Sequence, residues 1–172
     1  QCRQVAERTV KEFGRIDGLV NSAYFHGDFG PLSEPDFTTW AKVLDTNLLG
    51  SVRMTLACVP QMKKQGGGTI LNMSSVAGVQ AWSGTGTYSA SKHAIMALSK
   101  ALADEGRAHR IKVSAICPGG VADDLVDASA GERAGSEKID PFDIAETALY
   151  LACLGPQSAV HQIVVDRIGA DW

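Results

Sequence analysis

Cysteine is sparse and scattered in this chain of 172 residues: Cys2, Cys58, Cys117 and Cys153 form no Cys-x-x-Cys pair, and none stands at ligand spacing from a histidine. A disulfide framework and a zinc site are therefore excluded as organising features, and the four thiols read as free. His26, His93, His109 and His161 are equally dispersed, so no metal is expected. Long apolar runs are also missing. Nothing approaches the ~18 residues of a membrane-spanning helix, and the first residues lack the apolar stretch of a signal peptide. A large excess of one charge is absent too, with a formal net charge of -3 and a pI near 5.8. That balance offers no electrostatic case for nucleic acid or an anionic membrane surface. The expectation is a soluble, cytoplasmic protein with neither nucleic-acid nor membrane partners.

What is present is enough apolar material for one core: 45% hydrophobic against 20% charged residues. No linker, repeat or low-complexity tract divides the chain, so residues 1–172 read as a single domain. Helical and strand patterns alternate, which points to an α/β fold with a mostly parallel sheet covered on both faces. Val5, Ala6, Thr9, Val10 and Phe13 repeat at helical spacing and stop at Gly14, and a strand follows over 16–20. Ser33-Glu34-Pro35-Asp36 has the form of a capping box with proline in the first turn. It predicts a long helix that closes near Lys63-Lys64, ahead of Gly66-Gly67-Gly68.

Gly68-Thr69-Ile70-Leu71-Asn72-Met73-Ser74-Ser75 reads as a buried strand opening into a Ser/Gly-rich loop. Tyr88-Ser89-Ala90-Ser91-Lys92 then opens a long helix, with tyrosine and lysine one turn apart on the same face. A phenol of pKa about 10 is a poor acid or base at neutral pH. A neighbouring cation favours its anion, so Lys92 is expected to lower the Tyr88 pKa. A hydroxyl, a phenol and an ammonium are the groups needed to move a proton at a carbonyl or carbinol.

With Ser75, Tyr88 and Lys92 in this order, and Asn47 in the helix before, the chain resembles the C-terminal two thirds of a short-chain dehydrogenase/reductase. The resemblance covers essentially the whole chain and implies a Rossmann-like doubly wound parallel sheet. It implies a catalytic set of Asn47, Ser75, Tyr88 and Lys92, with Asn47 holding a bent helix and a water that passes protons to the lysine. It also implies NADP or NAD as cofactor, NADP favoured through likeness to reductive members, with contacts from Asn21, Ala23, Tyr88, Lys92, Pro118, Gly119 and Val121. Pro118-Gly119 ends the strand over 111–117, where a glycine lets the main chain approach a flat ring. The small-residue stripe Ala90, Ala94, Ala97 and Ala101 on the same helix as Tyr88, beside Ile95, Leu98 and Leu102, carries over assembly as a homodimer or homotetramer.

Three departures from the family pattern stand out. Asn21-Ser22-Ala23-Tyr24 carries a ring where the family has glycine, close to where the adenosine ribose lies; Asp123 replaces a threonine near the carboxamide; and Val165-Asp166-Arg167-Ile168 replaces Val-Asp-Gly-Gly. No Gly-x-Gly-x-x-Gly or Gly-x-x-x-Gly-x-Gly run occurs, so the chain reads as truncated at its N-terminus, without the phosphate-binding unit. The lid region over 122–140 is polar and rich in Ala and Gly, with no large aromatic wall for a steroid and no basic cluster for a phosphopantetheine arm. The expected substrate is a small or medium alcohol or ketone. The alternative is a non-catalytic remnant acting as an oligomerisation or regulatory module.

Overall fold

Four strands, β1 (Gly18–Asn21), β2 (Gly68–Met73), β3 (Ile111–Pro118) and β4 (Gln162–Val165), run parallel in the order β1-β2-β3-β4. They belong to a computed structural model that describes residues 1–27, 29–31, 36–122 and 138–169. Register is set by pairs such as Val20 with Leu71 and Ile70 with Val113. Because strand side chains alternate between faces, Ile70 and Leu71 point to opposite sides and join separate cores. Ile70 and Val113 pack with Leu19, Ile111, Cys58 and Met62, under helices α1 (Cys2–Phe13), α3 (Gly50–Gln65) and α4 (Gly86–Gly106). Leu71 and Ile116 pack with Ile144 and Leu151 of α5 (Pro141–Cys153) on the other face. Helices thus cover both sides of a parallel sheet, as the alternating pattern requires.

The second helical region differs from the sequence reading. Helix α2 spans Phe37–Leu44, and its cap is Asp36, whose carboxylate accepts from the Thr38 and Thr39 main-chain N–H groups and from the Thr39 hydroxyl. A carboxylate two and three residues ahead of free N–H groups satisfies first-turn donors, so Asp36 stands at the cap and not inside the first turn as the expected box had it. Ser33, Glu34 and Pro35 lie outside the described residues. The expected continuous helix is also interrupted by a π-turn over Asp45–Leu49 before α3 begins, and Asn47 sits in that turn. Helix α3 closes as expected, with Lys63 and Lys64 in its last turn and Gly66 left-handed at φ 85°. The α5–β4 unit was not read as separate elements from the sequence. Among the described residues, no helix is long and apolar enough to cross a membrane.

Candidate active site

Strands β2 and β3 end side by side, so their C-terminal loops open into one cleft of about 680 Å³. In open parallel sheets this end is where ligands are held. Ser74 and Ser75 leave β2, Pro118 and Gly119 leave β3, Tyr88 and Lys92 enter from α4, and Tyr24 comes from the loop after β1. The far wall is apolar and is built by Ile144, Ala145 and Ala148 of α5 with Val121. The structure therefore brings Ser75, Tyr88, Lys92, Pro118, Gly119 and Val121 together.

Ser75 is extended at φ -171° and its hydroxyl accepts from the Ala77 N–H at 3.1 Å, which starts a tight turn over Val76–Gly78. The same hydroxyl donates to the Pro118 carbonyl at 3.4 Å and is close enough to the Tyr88 phenol to lower its pKa. Its neighbour Ser74 donates to the Lys92 carbonyl at 3.0 Å, which ties the strand end to the helix. At Gly78 a Cβ would collide with Ser74 Oγ and would lie 2.8 Å from the Lys92 carbonyl oxygen. Only a residue without a side chain lets the loop and α4 approach this closely, and that approach sets the distance between Ser75 and Tyr88.

Lys92 is 3% exposed. Its ammonium donates to the Met73 carbonyl at 2.8 Å and sits 5.5 Å from the centre of the Tyr88 ring and 5.8 Å from that of Tyr24. Burial disfavours the charged form and lowers its pKa to about 8, against a smaller opposing pull from Cys117. The Tyr88 phenol moves the other way. Burial raises its pKa above 10.0, the Ser75 hydroxyl partly offsets this, and Tyr24 adds to the rise. This corrects the expectation that Lys92 pulls the phenol down: the ammonium is committed to a main-chain carbonyl, and loss of water around the phenol is the larger effect.

Asn47 lies in the π-turn that bends the helix, and its side chain is fully engaged. Its Oδ1 accepts from the Phe25 N–H at 2.7 Å, and its Nδ2 donates to the Phe25 carbonyl and to Ser91 Oγ, each at 3.0 Å. Ser91 in turn donates to the Tyr88 carbonyl at 2.7 Å. With both ends of its amide engaged, Asn47 clamps the loop after β1 to the first turn of α4.

Two of the expected cofactor residues, Asn21 and Ala23, stand outside the lining of this cleft. Asn21 is buried, its amide donating to Asn72 Oδ1 at 2.8 Å and to Thr55 Oγ1 at 3.5 Å, while Asn72 donates to Ser99 Oγ at 2.8 Å. That polar chain fastens β1 through β2 to α4. Ala23 is exposed and stands outside the cleft lining, where Ser22 and Tyr24 appear instead. Gly119 also has a second explanation besides approach to a ring: a Cβ there would overlap Asp166 Oδ1 of this same chain. Asp123 and most of the expected lid fall outside the described residues.

The sequence reading missed the aromatic character of the loop after β1. Phe25 and His26 stack with centroids 6.2 Å apart at 13°, and His26 and Phe29 stack at 5.5 Å and 18°. Phe29 meets the Tyr88 ring edge-on at 6.2 Å. The spacing Tyr24-Phe25-His26 was visible, but the neighbour that gives it meaning, Tyr88, lies on another element.

The model of the short chain dehydrogenase family matches residues 1–133. This chain belongs to that family. An uncharacterized oxidoreductase of Staphylococcus saprophyticus is 35% identical over 166 residues, which is 96% of this chain and 69% of the relative. The short-chain reductase protein NovJ of Streptomyces niveus is 38% identical over 156 residues, 91% of this chain and 58% of that protein. Among solved structures, ElxO with NADP bound superimposes with a TM-score of 0.85 at 27% identity, over 96% of this chain and 72% of the other. A metagenomic short-chain oxidoreductase in complex with NADP gives 0.80 at 30% identity, over 96% and 68%. The chain spans about half to two thirds of the length of the curated relatives it matches. Membership of an oxidoreductase family and a Rossmann-like fold follow from these likenesses and from the sheet itself.

Proposed function

We propose that these residues form the catalytic part of an NAD(P)-dependent oxidoreductase acting on a small or medium alcohol or ketone, with Tyr88 as proton donor and acceptor. The observation that carries this reading is that Ser75 and Tyr88 line the same cleft, whose floor holds the Lys92 ammonium. Ser75 holds the substrate oxygen within reach of the phenol. Tyr88 gives that oxygen a proton in reduction and takes it back in oxidation. A buried phenol with a raised pKa stays protonated at neutral pH, which suits the reductive direction. Lys92, close to both rings, counters negative charge that develops on the phenol. Asn47 positions the loop and α4 through Phe25 and Ser91, and from the helix bend it also supports the water that passes protons to Lys92.

The lining suits a nicotinamide riboside. Lys92, Ser74 and Ser75 offer groups for ribose hydroxyls, Pro118 and Gly119 offer main chain, and Val121, Ile144 and Ala148 offer an apolar face for a flat ring. When bound, the nicotinamide supplies or accepts the hydride. Lys92 is the only cation among the described lining residues, so the phosphates need groups other than these. ElxO and the metagenomic oxidoreductase have been solved with NADP, which supports NADP as the first choice. Ala90, Ala97 and Ala101 of α4 are exposed, as is Leu56 of α3, which supports assembly as a homodimer or homotetramer through these helices.

Tyr24, a ring at the cleft where the family pattern has glycine, favours one other reading, a non-catalytic oligomerisation or regulatory module. Titration with NADPH and with NADH, followed by tryptophan fluorescence, separates the two when done on this chain and on a version extended at its N-terminus. Binding by the extended version with ketone-dependent oxidation of the nicotinamide is the expected result. Binding by neither version would reject the enzymatic reading.

A further inference from the structure

The loop after β1 is held at two points, where Asn47 grips both main-chain groups of Phe25 and where the Gly30 N–H donates to the Gly84 carbonyl at 3.0 Å. Between these anchors runs a ladder of flat groups. The Lys42 ammonium lies 4.1 Å from the centre of the Phe25 ring, Phe25 stacks on His26, and His26 stacks on Phe29. Phe29 ends the ladder, and although its rim touches Tyr88 it remains 60% exposed. Here the stack and the two anchors hold it in place.

Building on the functional reading above, we infer that Phe29 forms a subsite for a flat, uncharged ring on the substrate, next to the carbonyl or carbinol that Tyr88 protonates. Three observations support this. Aromatic pairs prefer offset-stacked or edge-on contact at centroid separations of 4.5–7 Å, and the ladder repeats that spacing up to its exposed end. Tyr24, 55% exposed, adds a second ring at the cleft wall. Among the described lining residues the only cation is Lys92, which the functional reading assigns to Tyr88 and the nicotinamide ribose, so no second cation there pairs with a carboxylate or phosphate on the substrate. The subsite therefore selects a neutral arylalkyl ketone or alcohol over an open-chain one.

The test compares benzylacetone with methyl octyl ketone, which have equal carbon number and equally unconjugated carbonyls, in the protein supplied with NADPH or NADH. The expected result is a higher kcat/KM for benzylacetone. Phe29→Leu keeps the apolar bulk but removes the flat face, and should lower the benzylacetone to methyl octyl ketone ratio by roughly two- to tenfold, the range set by an aromatic pair. Phe29→Tyr should keep the ratio. Equal kcat/KM for the two ketones, or a ratio unmoved by Phe29→Leu, overturns the inference and leaves the oxidoreductase reading standing. Turnover of neither ketone with either nicotinamide overturns both.

Discussion

Replacing Lys92 with methionine should remove a specific dependence of stability on alkaline pH. In the folded chain the ammonium is buried and titrates at about 8, against 10.5 for an unperturbed lysine. Between those values the unfolded chain holds a proton that the folded chain has released, so stability must rise with pH across the window. Below about pH 8 both states are protonated and the penalty for burying the charge is fully present. At 1.36 kcal/mol per pH unit the whole gap corresponds to about 3 kcal/mol. The part developed between pH 6.5 and 9.5 is about 2 kcal/mol. The assay is urea unfolding at those two pH values, wild type beside Lys92→Met, read by tryptophan fluorescence. Cys58 and Tyr88, whose values burial raises, act in the opposite direction but are common to both proteins, while Cys117 loses the downward pull of Lys92 in the variant and adds to the difference in the same sense. The difference between the proteins should therefore shift by about 2 kcal/mol in favour of wild type at the higher pH. Parallel pH profiles would refute the reasoning and would mean that water or a rearranged side chain solvates the amine.

Gly78→Ala should destabilise the fold by roughly 1–3 kcal/mol, since its Cβ meets Ser74 Oγ and the Lys92 main chain; a urea midpoint equal to wild type would show that the loop can retreat freely. Asn47→Ala removes the clamp on Phe25 and the bond to Ser91, with an expected loss of roughly 2–3 kcal/mol and faster amide exchange at Phe25. Ser91→Ala should slow turnover by displacing the first turn of α4, and Ser91→Thr should restore part of the rate; equal rates in all three proteins would remove Ser91 from the positioning chain.

Much of the architecture was legible because buried strands and amphipathic helices leave periodic traces. The strand ending at Met73 and the helix carrying Tyr88 and Lys92 appear where the pattern places them. The site was legible to the extent that its groups are close in sequence or stand at strand ends. What the sequence hid depends on burial and on contacts between distant segments. The direction of the Tyr88 pKa needs the desolvation around the ring, which no local spacing records. Asn47 could be placed in a helix but not aimed, because its partners are Phe25 and Ser91, 22 and 44 residues away. The cap falls on Asp36 because its carboxylate reaches the free N–H groups of Thr38 and Thr39. The Phe29 ladder is aligned with Tyr88 only after α4 folds against the sheet.

The central claim is that the Tyr88 phenol transfers the proton. Its most direct test is the kcat of nicotinamide-dependent ketone reduction in wild type and in Tyr88→Phe, with circular dichroism confirming an unchanged fold. Removing one hydroxyl from a positioned acid should lower kcat by roughly a hundredfold to ten-thousandfold while nicotinamide binding persists. A rate within a fewfold of wild type would contradict the account and assign the proton to another group in the cleft.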